Sequence, residues 1–277
     1  MTASETTALL TAVRAIAEQA GRAIMAIYAD GFSVTAKDDQ SPLTEADLAA
    51  HRLIVAALNR LTPQWPVLSE ESSAEAVAER LRWPRYWLVD PLDGTREFIK
   101  RNGEFSVNIA LVDHHESVLG VIHAPVAGYC CSGARGHDAE MIEADGSRRR
   151  LQARSERPAC LRVAGSRSHG AARLALVLDR IGDHECIAMG SALKFCLIAA
   201  GSADVYFRFG PTCEWDTAAG QAIIEAAGGQ VTDLDLKPLR YNQRDHLINP
   251  DFIAYADPSA PWREWLAAAH GAASDER

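Results

Sequence analysis

Apolar positions along residues 5–29 recur at helical spacing: Leu9, Leu10, Val13, Ile16, Ala17, Ala20, Ile24 and Ile27 fall on one stripe. This spacing predicts a long amphipathic helix. Ser41-Pro42-Leu43-Thr44 is expected to be a loop and helix start, followed by a second helix with Leu48, Leu53, Ile54 and Leu58 on its inner face. Two short apolar runs, Trp65 to Leu68 and Tyr86 to Val89, predict buried strands, each ending at acidic residues. From Phe105 to about Met141 the period changes to two. Strands are expected at Ser106 to Val112, Ser117 to His123 and Tyr129 to Ser132, antiparallel and joined by turns at His114-His115 and Ala127-Gly128. After residue 150 strand and helix patterns alternate: Leu161 to Ala164 strand, 171–180 helix, Cys186 to Met189 strand, 192–200 helix, Val205 to Phe209 strand, Thr217 to Ala227 helix. The expected architecture is a layered α/β fold forming one catalytic unit over residues 1–277. An α+β lobe spans 1–150 and an α/β lobe 151–277, with one cleft shared between them.

The chain has 277 residues and 48% hydrophobic composition, enough for a large core. No window approaches the roughly 18 apolar residues of a membrane span, and no basic-then-apolar leader opens the chain. The six cysteines are scattered without a CxxC spacing, so free, buried thiols in a reducing cytoplasm are expected. Cys130 and Cys131, as strand neighbours, should point to opposite faces. A net charge of -9 disfavours nucleic-acid polymers and anionic membrane surfaces. Loose association with the inner face of a membrane is left open. Against that average, seven arginines lie between Arg148 and Arg167, with Glu156 the one acid among them. They are a solvated connection or, alternatively, a means of steering an anionic ligand.

The chemistry concentrates where elements end. In Trp87-Leu88-Val89-Asp90-Pro91-Leu92-Asp93-Gly94-Thr95 a strand runs into two carboxylates, a glycine and a hydroxyl. Converging carboxylates suit a hard divalent cation such as Mg²⁺, which takes oxygen ligands and keeps positions open for phosphate. Gly94 allows close backbone approach, and the amides that follow could open a helix toward an anion. A plain Asp-Pro, Asp-Gly turn is the bland alternative. Further acids stand at Asp47 in the first turn of the second helix, at Glu70 and Glu71 after a strand, and at Asp216 opening a helix in Glu214-Trp215-Asp216-Thr217-Ala218-Ala219-Gly220. Each alone could serve a helix dipole or a solvated loop. Together they look like a ligand site at element ends.

Asp90 to Thr95 with Phe98, and Trp215 to Gly220, resemble the two defining motifs of the inositol monophosphatase-like superfamily of metal-dependent, lithium-sensitive phosphatases. Ser69-Glu70-Glu71-Ser72 matches its third acidic motif and Lys37 to Asp47 its N-terminal one. Gly190 to Cys196, Gly201 to Tyr206, Arg208 to Thr212, Ser166 to His169 and Lys237 to Asn242 look like the CysQ-type 3'(2'),5'-bisphosphate nucleotidase branch. Ala192, Phe207 and Cys213 depart from it without removing a ligand.

The resemblance implies an αβαβα sandwich like that of inositol monophosphatase and fructose-1,6-bisphosphatase. It implies one Mg²⁺ on Glu70, Asp90 and the Leu92 carbonyl, a second on Asp90, Asp93 and Asp216, and a third, looser ion near Glu70 as an open option. Thr95 and Asp47 would orient the attacking water, with Glu70 also within its reach. For both, helix capping is the structural alternative. Gly94, Thr95, Gly190 and Asp216 would line the substrate. Lys194, Arg208, Ser168 and His169 would grip a second phosphate, with surface ion pairing as the alternative for the two cations and base stacking for His169. Glu71 is expected to make no direct metal contact, and Trp215 to pack as core behind Asp216. No histidine is assigned to metal, and His114 and His115 look like turn residues. The implied activity is hydrolysis of adenosine 3'(2'),5'-bisphosphate, and of the sulfated adenylate PAPS, by a cytoplasmic monomer or homodimer. Inositol or sugar phosphates are the runner-up substrates. A non-catalytic sensor is disfavoured because Asp47, Thr95 and every metal ligand are present.

Overall fold

A computed structural model describes residues 1–31, 33–36, 42–155, 158–165 and 171–272. Helix α1 spans Ala3–Asp30 and opens on a capping box, in which the Thr2 side chain accepts from the Glu5 amide and Glu5 accepts from the Thr2 amide. Strands β1 (Val34–Ala36) and β2 (Pro42–Thr44) form a small antiparallel pair. The stretch expected as a loop is therefore partly strand. Helix α2 (Glu45–Leu61) buries Ala46, Ala50, Ile54, Ala57 and Leu58, while Leu48 and Leu53 are only half-buried. The small alanines let this helix lie close on its neighbours.

Seven strands form the first sheet: β3 (Val67–Ser69), β4 (Arg85–Asp93), β5 (Ser106–Asp113), β6 (Glu116–Ala124), β7 (Tyr129–Ala134), β8 (Ala139–Glu143) and β9 (Arg148–Leu151), paired in chain order. Only β3 and β4 run parallel; the remaining pairs are antiparallel. Helix α3 (Ala74–Glu79) lies in the crossover between β3 and β4. Side chains alternate across the sheet. Trp87, Val89, Val107, Ile109 and Val121 pack with α1 and α2, whereas Tyr86, Leu88, Ala110, Val112 and Ile122 face the opposite way. Cys130 and Cys131 are divided between these two faces as expected.

The second face is covered by α6 (Leu193–Ala199) and α7 (Glu214–Ala226). Helix α7 sits very close: a Cβ on Gly120 would lie 2.1 Å from the Ala219 carbonyl oxygen. Beyond these helices lies a five-stranded sheet of β10 (Leu161–Gly165), β11 (His184–Ala188), β12 (Val205–Arg208), β13 (Gln230–Asp233) and β14 (Phe252–Tyr255), in the order β11-β10-β12-β14-β13. Its outer face, with Val163, Phe207 and Ile253, packs with α5 (Ala171–Ile181) and α8 (Trp262–Ala272). The layers run α1/α2, seven-stranded sheet, α6/α7, five-stranded sheet, α5/α8, which is the αβαβα order.

The arginine-rich stretch proves to be more than a connection. Arg148 to Arg150 are strand β9, Arg150 pairs with Asp138 at 2.7 Å, and Arg162 in β10 binds Asp204 and the Gly201 carbonyl. Arg157 and Arg167 lie outside the described residues. All six cysteines are free; Cys160 and Cys186 are exposed rather than buried. His114 and His115 have positive φ, consistent with a turn. No helix among the described residues is long and apolar enough to cross a membrane.

Candidate active site

Residues three apart on a regular strand point to opposite faces. On β4 the register shifts between Asp90, which pairs with Asn108, and Asp93, which pairs with Ser106. Three steps on β4 thus oppose two on β5. This extra residue, a β-bulge, brings both aspartates to one side at the strand's end. The Leu92 amide donates to Asp90 Oδ1 at 3.1 Å. Gly94 then turns the chain with φ +91°, where an added Cβ would meet Glu104 O at 3.0 Å and Ser191 Cβ at 3.3 Å. Helix α4 (Thr95–Lys100) begins at once.

Asp216 reaches the same point from the first turn of α7, with one oxygen accepting from the Cys213 amide at 2.9 Å. Carboxylate oxygens of Asp90, Asp93 and Asp216 all lie within 4.8 Å of one another. Burial, then Glu70, Asp93, Asp216 and Asp47, pushes the Asp90 carboxyl well above the usual carboxylate range. Burial and Asp93 push Asp216 up to about 8. A cluster in this state either keeps protons or takes a cation. Asp93 is fixed from the second sheet's side: its Oδ2 accepts from Ser191 Oγ at 2.9 Å and the Ala192 amide at 2.5 Å. Glu70, following β3, is tied to β4 by its amide, which donates to Val89 O at 3.0 Å.

Asp47 and Thr95 meet beside the cluster. Thr95 Oγ1 donates to Asp47 Oδ1 at 3.2 Å, while Asp47 Oδ2 accepts from the Thr44 hydroxyl and amide at 2.6 and 2.8 Å. The capping and the relay readings of Asp47 are therefore compatible, one oxygen serving each.

The cluster opens on a cleft of about 620 Å³ lined by Glu70, Asp90, Leu92, Asp93, Gly94, Thr95, Arg208 and Asp216 among others. It adjoins a smaller cavity of about 220 Å³ between α4, the loop before α6 and the rings of Phe195, Tyr206 and Phe252. Lys194 and Gly190 line that inner cavity. Lys194 is buried, donates to Ser191 O at 2.5 Å and Met189 O at 3.3 Å, and lies over the Tyr206 ring. Burial holds its ammonium down to about 8. Arg208 Nη2 donates to Pro211 O at 2.9 Å. Among the described residues neither cation forms an ion pair. The Gly190 amide donates to Glu104 Oε2 at 2.8 Å, and a Cβ there would come within 3.0 Å of Glu104 and Glu97.

Trp215 packs against the core as expected, and it also lines the cleft. Glu71 is half-buried beside Glu70 but does not line the cleft. Ser168, His169 and Lys37 to Ser41 lie outside the described residues. The sequence reasoning passed over Arg96, Glu97 and Lys100, which line the inner cavity, and Ser191, which binds Asp93. The signal for the first three was available, since a helix opening at Thr95 places residues 96, 97 and 100 on adjoining faces.

Fold and site together are those of a phosphatase-type α/β sandwich with an acidic centre. The model of the inositol monophosphatase family matches residues 5–271, and the chain belongs to that family. A 3'(2'),5'-bisphosphate nucleotidase CysQ of Escherichia coli K12 is 50% identical over 88% of this chain and 98% of its own length. The crystal structure of CysQ from Bacteroides thetaiotaomicron is 40% identical, covers 91% of this chain and 98% of its own, and superposes with a TM-score of 0.78. An inositol monophosphatase from Anabaena shares the fold at 22% identity and a TM-score of 0.73, covering 97% of each chain.

Proposed function

We propose that this protein is a Mg²⁺-dependent phosphatase that hydrolyses adenosine 3'(2'),5'-bisphosphate to AMP and phosphate. PAPS is a further substrate, and the activity clears a by-product of sulfate activation in the cytoplasm. The observation that carries this reading is the convergence of Asp90, Asp93 and Asp216 within 4.8 Å beside the Thr95–Asp47 pair. The substrate follows from a chain half-identical to relatives named for that nucleotidase activity.

The donor set fits a hard cation, because it is all oxygen and its buried members are driven toward protonation in the protein alone. Glu70, Asp90 and the Leu92 carbonyl would hold one ion, and Asp90, Asp93 and Asp216 a second; room for a third near Glu70 stays part of the proposal. An ion held there would supply positive charge to the phosphate oxygens and make a nearby water easier to deprotonate.

The chain's own groups do the positioning. The Thr95 hydroxyl gives its proton to the hydrogen bond with Asp47, which leaves its oxygen lone pairs to accept from the attacking water. Asp47 is kept in place because its second oxygen is committed to Thr44. Glu70, on the cleft wall, is placed to share in orienting that water. Lys194 and Arg208 supply positive charge in the inner cavity for the phosphate that is not cleaved. Ser168 and His169 belong to the same proposal for the second phosphate.

Steady-state phosphate release from adenosine 3',5'-bisphosphate, PAPS and inositol 1-phosphate tests the assignment. The bisphosphate should show the highest kcat/KM. A higher value for inositol 1-phosphate would transfer the assignment to the inositol phosphatase activity.

A further inference from the structure

The inner cavity has two positive walls. One is the Lys194 and Arg208 side, on the second sheet and α6. The other is α4, which presents Arg96 and Lys100 to the same space. Four cations thus face a cavity of about 220 Å³ in a chain whose net charge is -9. The acids on its wall are Asp93, Asp216 and Glu97. The first two are occupied at the metal centre in the reading above, which leaves a local excess of positive charge.

Arg96 and Lys100 are four residues apart, so they stand on one helix face a turn from each other. Both are exposed, and neither makes a side-chain hydrogen bond or ion pair with any described residue. On a solvated helix face such cations would ordinarily find the acids at i±3 or i±4. Around Arg96 the one acid at those positions is Asp93, already bound to Ser191 and Ala192; around Lys100 stand Glu97 and Glu104, and neither pairs with it, Glu104 accepting from the Gly190 amide instead. The helix also sets a distance. It starts at Thr95 beside the acidic centre, and five residues at 1.5 Å rise place Lys100 ~7.5 Å further along the axis. That separation is comparable to the width of a sugar ring bearing a substituent on each side.

We propose that Arg96 and Lys100 are specificity-determining residues. From α4 they clamp the anionic group that is not cleaved, opposite Lys194 and Arg208, and so select bisphosphates over monoesters. Glu97, between them on the helix, repels any phosphate that slides toward Gly190 and is suited to accept from a hydroxyl or amine of the ligand instead. The inference rests on the nucleotidase reading and adds residues to it.

The test is kinetic. The Arg96→Gln/Lys100→Gln double variant and wild type are compared on adenosine 3',5'-bisphosphate and adenosine 3'-monophosphate, which differ only in the 5'-phosphate. The ratio of kcat/KM values, bisphosphate over monoester, should fall on the order of tenfold, mainly through KM of the bisphosphate. The Arg96→Lys/Lys100→Arg variant, which keeps both charges, should retain most of the wild-type ratio. The inhibition constant of adenosine 5'-monophosphate should rise in parallel with the bisphosphate KM. A ratio within about twofold of wild type in the glutamine variant would overturn the inference. A wild-type enzyme that does not release phosphate from the bisphosphate would overturn the nucleotidase reading and this inference together, whereas an active wild type with an unaltered variant ratio overturns the inference alone.

Discussion

Asp47 divides its two oxygens between structure and chemistry. Oδ2 closes the capping box of α2 with Thr44, and Oδ1 receives the Thr95 hydroxyl. Asp47→Asn should therefore affect stability and turnover by different amounts. Loss of a cap costs about 0.5–2 kcal/mol, while loss of a proton-accepting group in the reacting chain lowers kcat on the order of 10²–10⁴. Mg²⁺ affinity, read by calorimetry, should persist; an unchanged kcat would remove Asp47 from the mechanism. Lys194 gives a pH signature. Burial lowers its ammonium to about 8, so the charged form that attracts phosphate is present below that pH and is lost as pH rises through it. For the free enzyme, kcat/KM for the bisphosphate should fall above pH 8, and in Lys194→Arg, which stays charged, the fall should move to higher pH. A profile identical in both proteins would contradict the role.

At this scale the sequence was informative where a residue type is chemically constrained. Asp90, Asp93, Gly94, Thr95 and Asp216 announce themselves by following strands or opening helices. Ser191 and Arg96 do not, because a serine in a loop and an arginine on a short helix have many ordinary uses. Only the fold shows what they face.

At the scale of elements, the bulge in β4 and the tight seat of α7 place the acids. Gly120 on β6 permits that seat, since any Cβ would strike the Ala219 carbonyl, three residues along the same helix from Asp216. Gly120→Ala should destabilise the protein by about 1–3 kcal/mol, seen as a lower midpoint in urea denaturation, and should weaken Mg²⁺ binding as α7 shifts. Equal midpoints for the two proteins would show that the layers yield without cost. Strands with alternating or strongly apolar patterns, β4 to β7 and β10 to β12, were legible. β13, β14 and α8 were passed over: the strands are only four residues each, and α8 begins after a Pro-Ser-Ala-Pro stretch that suggests a loop. The short β2 was hidden in the same way, because it opens on Pro42 directly after Ser41, a pair that suggests a loop.

The whole molecule holds its site where the two sheets approach through α6 and α7. No local pattern encodes the order β11-β10-β12-β14-β13; the five-layer stacking was expected from the family resemblance alone, and the observed layers agree with it. What chemistry alone anticipated was that several buried carboxylates need a cation. The most direct test of that claim is phosphate release from adenosine 3',5'-bisphosphate as a function of Mg²⁺, in wild type and Asp90→Asn. Wild type should release no phosphate in chelator and recover fully on adding Mg²⁺, and Asp90→Asn should release almost none at any concentration. Release in chelator at the Mg²⁺-saturated rate, or a fully active Asp90→Asn, would contradict it.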